Sequence, residues 1–212
     1  MSQPHLAISY VNHLSSEPFE AFRDEVAVEG LALVVESREP DGPFASVEWF
    51  VPTLVGVFVI KSYFEGFFQE AGKEHYALLK GALKKLTRRF IGPSAPRVKL
   101  VSSNKNKVTS PDPRFSLMYS ITVLIERDLR FKLLLEPDLA EVDSDEAIEL
   151  FFSSIAQLFE GTLDISTVKG LKGAKAHFGT ILIAFDRATR GLYVFDPKAG
   201  ATATRDDVNI TS

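Results

Sequence analysis

The 212-residue chain contains no cysteine. That one absence removes disulfides, thiolate nucleophiles and cysteine-ligated zinc together, so stability must come from packing. A cysteine-free chain suits a reducing compartment, and a cytoplasmic location is the expectation. Long apolar runs are also missing. The uncharged stretch from Trp49 to Ile60 has 12 residues, against the roughly 20 needed to cross a bilayer. Lys61 and Glu65 then interrupt it, so no membrane span is expected. The opening residues, Met-Ser-Gln-Pro-His-Leu, offer neither a basic region nor a long apolar one, and no secretory leader is expected.

Catalytic signatures are equally scarce. There is no Gly-x-Ser-x-Gly elbow, no Ser-x-x-Lys with its companion motifs, no Walker pattern and no Gly-x-Gly-x-x-Gly. The four histidines, His5, His13, His75 and His177, show no metal-ligand spacing. No metal and no cofactor are therefore expected. An enzyme is the less favoured class, and a hydrolase would have to draw on His75 or His177. His75 lies in helical phase with Ala71 and Leu79, which points to a buried, hydrogen-bonded imidazole rather than a base.

What the chain does hold is phenylalanine, 17 residues of it, against one tryptophan and two methionines. Aromatic side chains bury large areas, so this content predicts a well-filled core. The balance of 45% hydrophobic and 25% charged residues is that of an ordinary globular domain. One domain over 1–197 followed by a loose tail, 198–212, is expected.

Charge is unevenly spread. Residues 1–72 carry a net −8, residues 73–107 a net +9 and residues 108–212 a net −5. The basic block has two readings. It binds an anionic partner, such as nucleic acid or an acidic lipid surface, or the acidic flanks fold back on it. The first reading selects Lys80, Lys84, Lys85, Arg88 and Arg89 as ligand-binding residues. The glycine-bearing run Lys169 to Lys175 adds Lys169, Lys172 and Lys175, with Gly170-Leu-Lys-Gly173 as a weak backbone-clamp pattern.

Hydropathy patterning gives the elements. Leu6, Ile8 and Tyr10 alternate as in a half-buried strand. Ser16, Glu17 and Pro18 mark the start of a helix over 18–28, with Gly30 as its stop. A second strand follows at 31–35. From Pro52, one long helix is expected to run to Phe90, kinked or broken at Gly72, with two helices divided there as the alternative. Strands follow at 97–101, 115–125 and 129–135, the last two joined as a hairpin through Glu126-Arg-Asp128. Asp143 and Glu146 fit a capping box for a helix over 147–159 ending at Gly161. A final hairpin closes through Arg187–Arg190.

This order predicts an α+β fold, a largely antiparallel sheet backed by one long helix and two shorter ones. The function expected from it is a non-enzymatic protein-interaction module, an adaptor, regulatory subunit or immunity- or inhibitor-type protein. Its partner would be a protein or a second copy of the chain. Trp49, Phe50, Leu54, Phe58, Tyr63 and Phe67 are its candidate contact residues, on a helix that is either core or interface.

Overall fold

A computed structural model describes residues 4–40, 53–97, 114–126 and 128–197, with 66–71, 73 and 165 described by backbone alone. The expected strand at 97–101, most of the polar stretch after it, the tail from 198, and the contact candidates Trp49 and Phe50 lie outside these residues. Among the described residues, no helix is long and apolar enough to cross a membrane.

The fold is α+β. In chain order the elements are β1 (Leu6–Val11), α1 (Glu17–Val26), β2 (Leu33–Arg38), β3 (Val55–Ile60), a π-helical turn (Tyr63–Phe67), α2 (Phe68–Phe90), β4 (Tyr119–Glu126), β5 (Leu129–Leu134), α3 (Glu141–Glu160), β6 (Val168–Lys169), β7 (Thr180–Asp186) and β8 (Gly191–Val194). The strands form one sheet in the order β2-β1-β3-β4-β5-β7-β8-β6.

The sheet is mixed rather than largely antiparallel. The two expected hairpins, β4–β5 and β7–β8, are antiparallel, as is β1–β3. The pairs β1–β2, β3–β4 and β5–β7 are parallel. Each of these three is bridged by one helix, because a chain that must return to the same end of a sheet needs a crossover, and a helix packed on the sheet supplies it.

All three helices bury their apolar stripes in one core with one face of the sheet. α1 contributes Phe19, Phe22 and Val26, α2 Leu79, Leu83 and Leu86, and α3 Ile148, Phe151 and Phe152. Alternate strand residues meet them: Leu6 and Ile8 from β1, Val57 and Val59 from β3, Ile121 and Val123 from β4, and Ile183 from β7. A column of rings ties the layers together. Phe19 stacks on Tyr10 at 4.2 Å and on Phe90 at 5.8 Å, and Phe90 stacks on Tyr119 at 5.8 Å.

One expectation is overturned. Residues 55–60 form strand β3, not the first turns of a long helix. Short apolar runs fit a buried strand as well as a buried helix, and Val-Gly-Val-Phe-Val-Ile is rich in β-branched residues. Third from one edge of an eight-stranded sheet, β3 has paired strands on both sides, which suits an almost wholly apolar sequence. The helical stretch begins only after Ile60. It is broken at Gly72, whose φ of 75° and ψ of −176° lie in a region open essentially to glycine alone.

Helix boundaries carry smaller corrections. α1 starts after Ser16 as expected, but Ser16 makes no side-chain cap, and the Glu17 N–H donates to Ser15 Oγ at 3.3 Å. α1 also ends at Val26, before Gly30. α3 begins at Glu141, six residues earlier than its apolar stripe suggested, so Asp143 and Glu146 sit inside the helix and cap nothing. Gly161 does end it, in left-handed backbone, with the Thr162 N–H donating to the Gln157 carbonyl.

A candidate anion-binding cavity on the far face of the sheet

Because strand side chains alternate, placing one set against the helices sends the other set to the opposite face. Cross-strand register shows what gathers there. Ala7 pairs with Phe58, Phe58 with Thr122, Thr122 with Lys132, and Lys132 with Leu182. Flanking this row, Ser9 pairs with Gly56 and Gly56 with Ser120 on one side, and Arg130 pairs with Thr180 on the other. Directly paired residues share a face. Hydroxyls and two cations from four strands therefore converge around Gly56 and Phe58 of β3.

They line a cavity of about 130 Å³, which Arg38 at the end of β2 also borders. That is room for several waters or one compact oxyanion. Thr53, Ser120, Thr122, Lys132 and Thr180 are all buried around it. Among the described residues lining it there is no carboxylate.

The polar groups are held in defined roles. The Thr53 hydroxyl donates to the Val55 carbonyl at 2.7 Å, so at its 2.7 Å contact with Ser120 the serine is the donor. Arg38 donates to the Thr53 carbonyl at 2.9 Å, which fixes the guanidinium at the cavity edge. Thr180 is placed by a tight turn. His177 and Thr180 exchange two backbone hydrogen bonds of 2.9 Å, with Phe178 and Gly179 both at positive φ between them. A Cβ on Gly179 would stand 2.3 Å from the Asp128 carbonyl oxygen, so only glycine lets this turn seat against the β4–β5 hairpin.

Lys132 is the most constrained cation. It is 7% exposed, and burial, reinforced by the neighbouring Arg130, pushes its ammonium down from 10.5 to about 8. It is therefore still mostly charged at neutral pH. Burying a charge is costly, and such sites concentrate where function needs them.

The cations singled out in the sequence sit elsewhere. Lys80 and Lys84 both reach Glu149 of α3, at 2.5 and 2.6 Å. Glu149 is partly buried, yet the two lysine hydrogen bonds hold its carboxyl below the usual range. Lys85 meets Glu25 at 2.6 Å, and Arg88 meets Asp145 at 2.6 Å and Glu141 at 2.9 Å. Arg190 pairs with Asp143 and Glu146, the two residues expected to cap α3. The acidic helices α1 and α3 thus fold against the basic face of α2. Arg89 is exposed at its end.

Lys169 lies in β6, and Lys172 and Lys175 are exposed in the turns that follow. Of the contact candidates, Leu54 is half-buried against the core, Phe58 is half-buried on the cavity wall, Tyr63 is fully buried, and Phe67 lies in the π-helical turn. His75 is 6% exposed. Its Nε2 donates to the Val26 carbonyl at 3.0 Å, and its Nδ1 shares a 3.1 Å hydrogen bond with the Tyr63 hydroxyl. That makes it a strut joining the end of α1 to the two sides of the Gly72 break. His177 is half-buried beside a second cavity.

No protein-family model, curated protein or solved structure matches the chain. The functional reading accordingly rests on the geometry.

The depressed pKa of Lys132 has a signed consequence. Between about pH 8 and 10.5 the unfolded chain holds a proton that the folded chain has lost, so this residue makes folding more favourable as pH rises through that window. Relative to Lys132→Met, wild type should gain roughly 2–3 kcal/mol of unfolding free energy between pH 7.5 and 10.5, at 1.36 kcal/mol per pKa unit. Urea unfolding of both proteins across that range measures it.

Proposed function

We propose that the protein is a non-catalytic binding protein that captures a small anionic group in the cavity on the far face of its sheet. The observation that carries this reading is the convergence of Arg38, Arg130 and Lys132 on one cavity lined by buried hydroxyls. Charge-assisted hydrogen bonds are stronger than neutral ones, and more so beside buried groups such as Lys132.

The α2 cations support an anionic surface less well, because α1 and α3 already supply them with carboxylates. A protein-contact role is a second proposal, and Phe178 favours it. It is 83% exposed although its φ of 50° is strained for an aromatic residue. Asparagine tolerates that backbone, so Phe178→Asn should leave urea stability unchanged or raised; a loss would make the aromatic part of the fold and remove this proposal.

The leading proposal is tested by calorimetric titration of orthophosphate. Lys132→Met should weaken binding by about 10- to 100-fold, equivalent to one lost charged hydrogen bond of about 1.5–3 kcal/mol. Lys84→Glu should leave it unchanged, and affinity for wild type should fall as pH rises above 8. Equal binding by Lys132→Met and wild type, or weakening by Lys84→Glu alone, contradicts the proposal.

A further inference from the structure

The two edges of the sheet are unequal. At one edge β6 has only two residues, one of them Lys169. At the other, β2 runs for six residues and pairs with β1 without a break from Leu33 to Arg38. Proteins blunt sheet edges with short strands, lysine, proline or a bulge, because unpaired backbone groups accept another strand. β6 is short and carries a lysine. β2, Leu-Val-Val-Glu-Ser-Arg, has no lysine, proline or bulge.

The ladder to β1 fixes which groups of β2 point outward. The Leu6 N–H donates to the Ala32 carbonyl at 3.2 Å, and the Asn12 N–H to the Arg38 carbonyl at 2.8 Å. Successive residues of a strand turn their N–H and C=O to opposite sides, so Val34 and Glu36, in phase with these two, also bond β1. Leu33, Val35 and Ser37 turn theirs away from it, and among the described residues no strand lies beyond. The side chains of Leu33 and Val35 pack against the core. Val34 is 43% exposed on the far face beside the exposed Glu36. Val28, in the connection that leads into β2, is 46% exposed.

Such an edge takes a strand, and the order of residues in β2 suits a second copy of itself. Consider two antiparallel β2 strands related by a two-fold axis through Val35. Leu33 then faces Ser37 of the second copy and Val35 faces its own equivalent, so every outward residue enters a hydrogen-bonded pair. Val34 faces Glu36 of the second copy, setting its methyl groups against the glutamate stem. Moving the axis to Glu36 brings like charges opposite each other and leaves Leu33 facing Glu39, beyond the strand. Moving it to Val34 leaves Ser37 facing Leu31, also beyond the strand. The register centred on Val35 is the self-complementary one.

We propose that the protein forms a two-fold dimer through β2, its two strands antiparallel and centred on Val35, so that one sheet continues across both copies. The contact is separate from the sheet-face cavity and holds whether or not that cavity takes an anion.

Sedimentation equilibrium of the full chain tests this, and wild type should show a monomer–dimer equilibrium as its concentration is raised. Val35→Pro removes the central outward N–H while sparing the donors to β1, and should abolish the dimer. Val34 offers a test that leaves the backbone alone. Val34→Glu sets like charges against Glu36 of the second copy, twice over by symmetry, and should weaken the dimer about tenfold or more. Val34→Lys sets opposite charges there and should hold it at least as tightly as wild type, and Val34→Glu/Glu36→Lys should recover what Val34→Glu loses. Should Val35→Pro not fold, the two Val34 variants decide alone. A chain that stays monomeric at every soluble concentration, a dimer that folded Val35→Pro leaves unchanged, or equal weakening by Val34→Glu and Val34→Lys refutes the proposal.

Discussion

Three helices packed on one face of an eight-stranded sheet leave the strands no choice about their other side chains. With Leu6, Val57, Ile121 and Ile183 committed to the core, period-two alternation sends Ser9, Phe58, Thr122 and Lys132 to the opposite face. A one-residue slip in any strand would exchange the two sets and bury polar groups among the helices, so register is strongly specified. The same packing carries Arg130 and Lys132, two residues apart on β5, into one small volume with hydroxyls from neighbouring strands. The cavity is thus a product of the hydrophobic layer. The apolar face is what holds a buried ammonium where isolated strands would solvate it.

Electrostatics then divides the cations into two populations. Those on α2 are met by carboxylates of α1 and α3, in pairs that are mostly exposed at one partner or both. Exposed ion pairs contribute only about 0–1 kcal/mol each, so their main effect is to settle the charge of the helical layer and the way its helices meet. The second population lies on the sheet's far face. Lys132 is buried beside Arg130, and both burial and like charge oppose its ionisation. Interactions there are less screened than at the surface, and an arriving anion would gain correspondingly more.

Much of the fold was legible in the sequence, and its failures have physical causes. Alternation at Leu6–Val11, the two hairpin turns, the apolar stripe of α3 and the break at Gly72 were all readable because each rests on local geometry. Val55–Ile60 was not, because a six-residue run buried in a central strand has no period to distinguish it from helix. The parallel pairings were also hidden. A helix between two strands does not say whether they become neighbours.

The sequence reading placed the ligand-binding residues on α2 and along Lys169–Lys175, and the proposed cavity lies elsewhere. Net charge along the chain pointed to α2, where lysine density is highest and carboxylates from distant segments wait to meet it. The pattern behind the proposed cavity is sparser: Ser120 and Thr122, then Arg130 and Lys132, polar residues at alternate positions in strands otherwise rich in Ile, Val, Leu and Phe. Arg38 could not have been added from sequence, since it joins only through β2 pairing beside β1. The central claim is therefore one of place, that the working cations lie on the sheet's far face and not on α2. A crystal soaked in tungstate, a strongly scattering tetrahedral mimic of phosphate, tests it most directly. The account predicts anomalous density between Arg38, Arg130 and Lys132; density confined to the α2 ridge of Lys80, Lys84 and Arg88, with the sheet-face cavity empty, would contradict it.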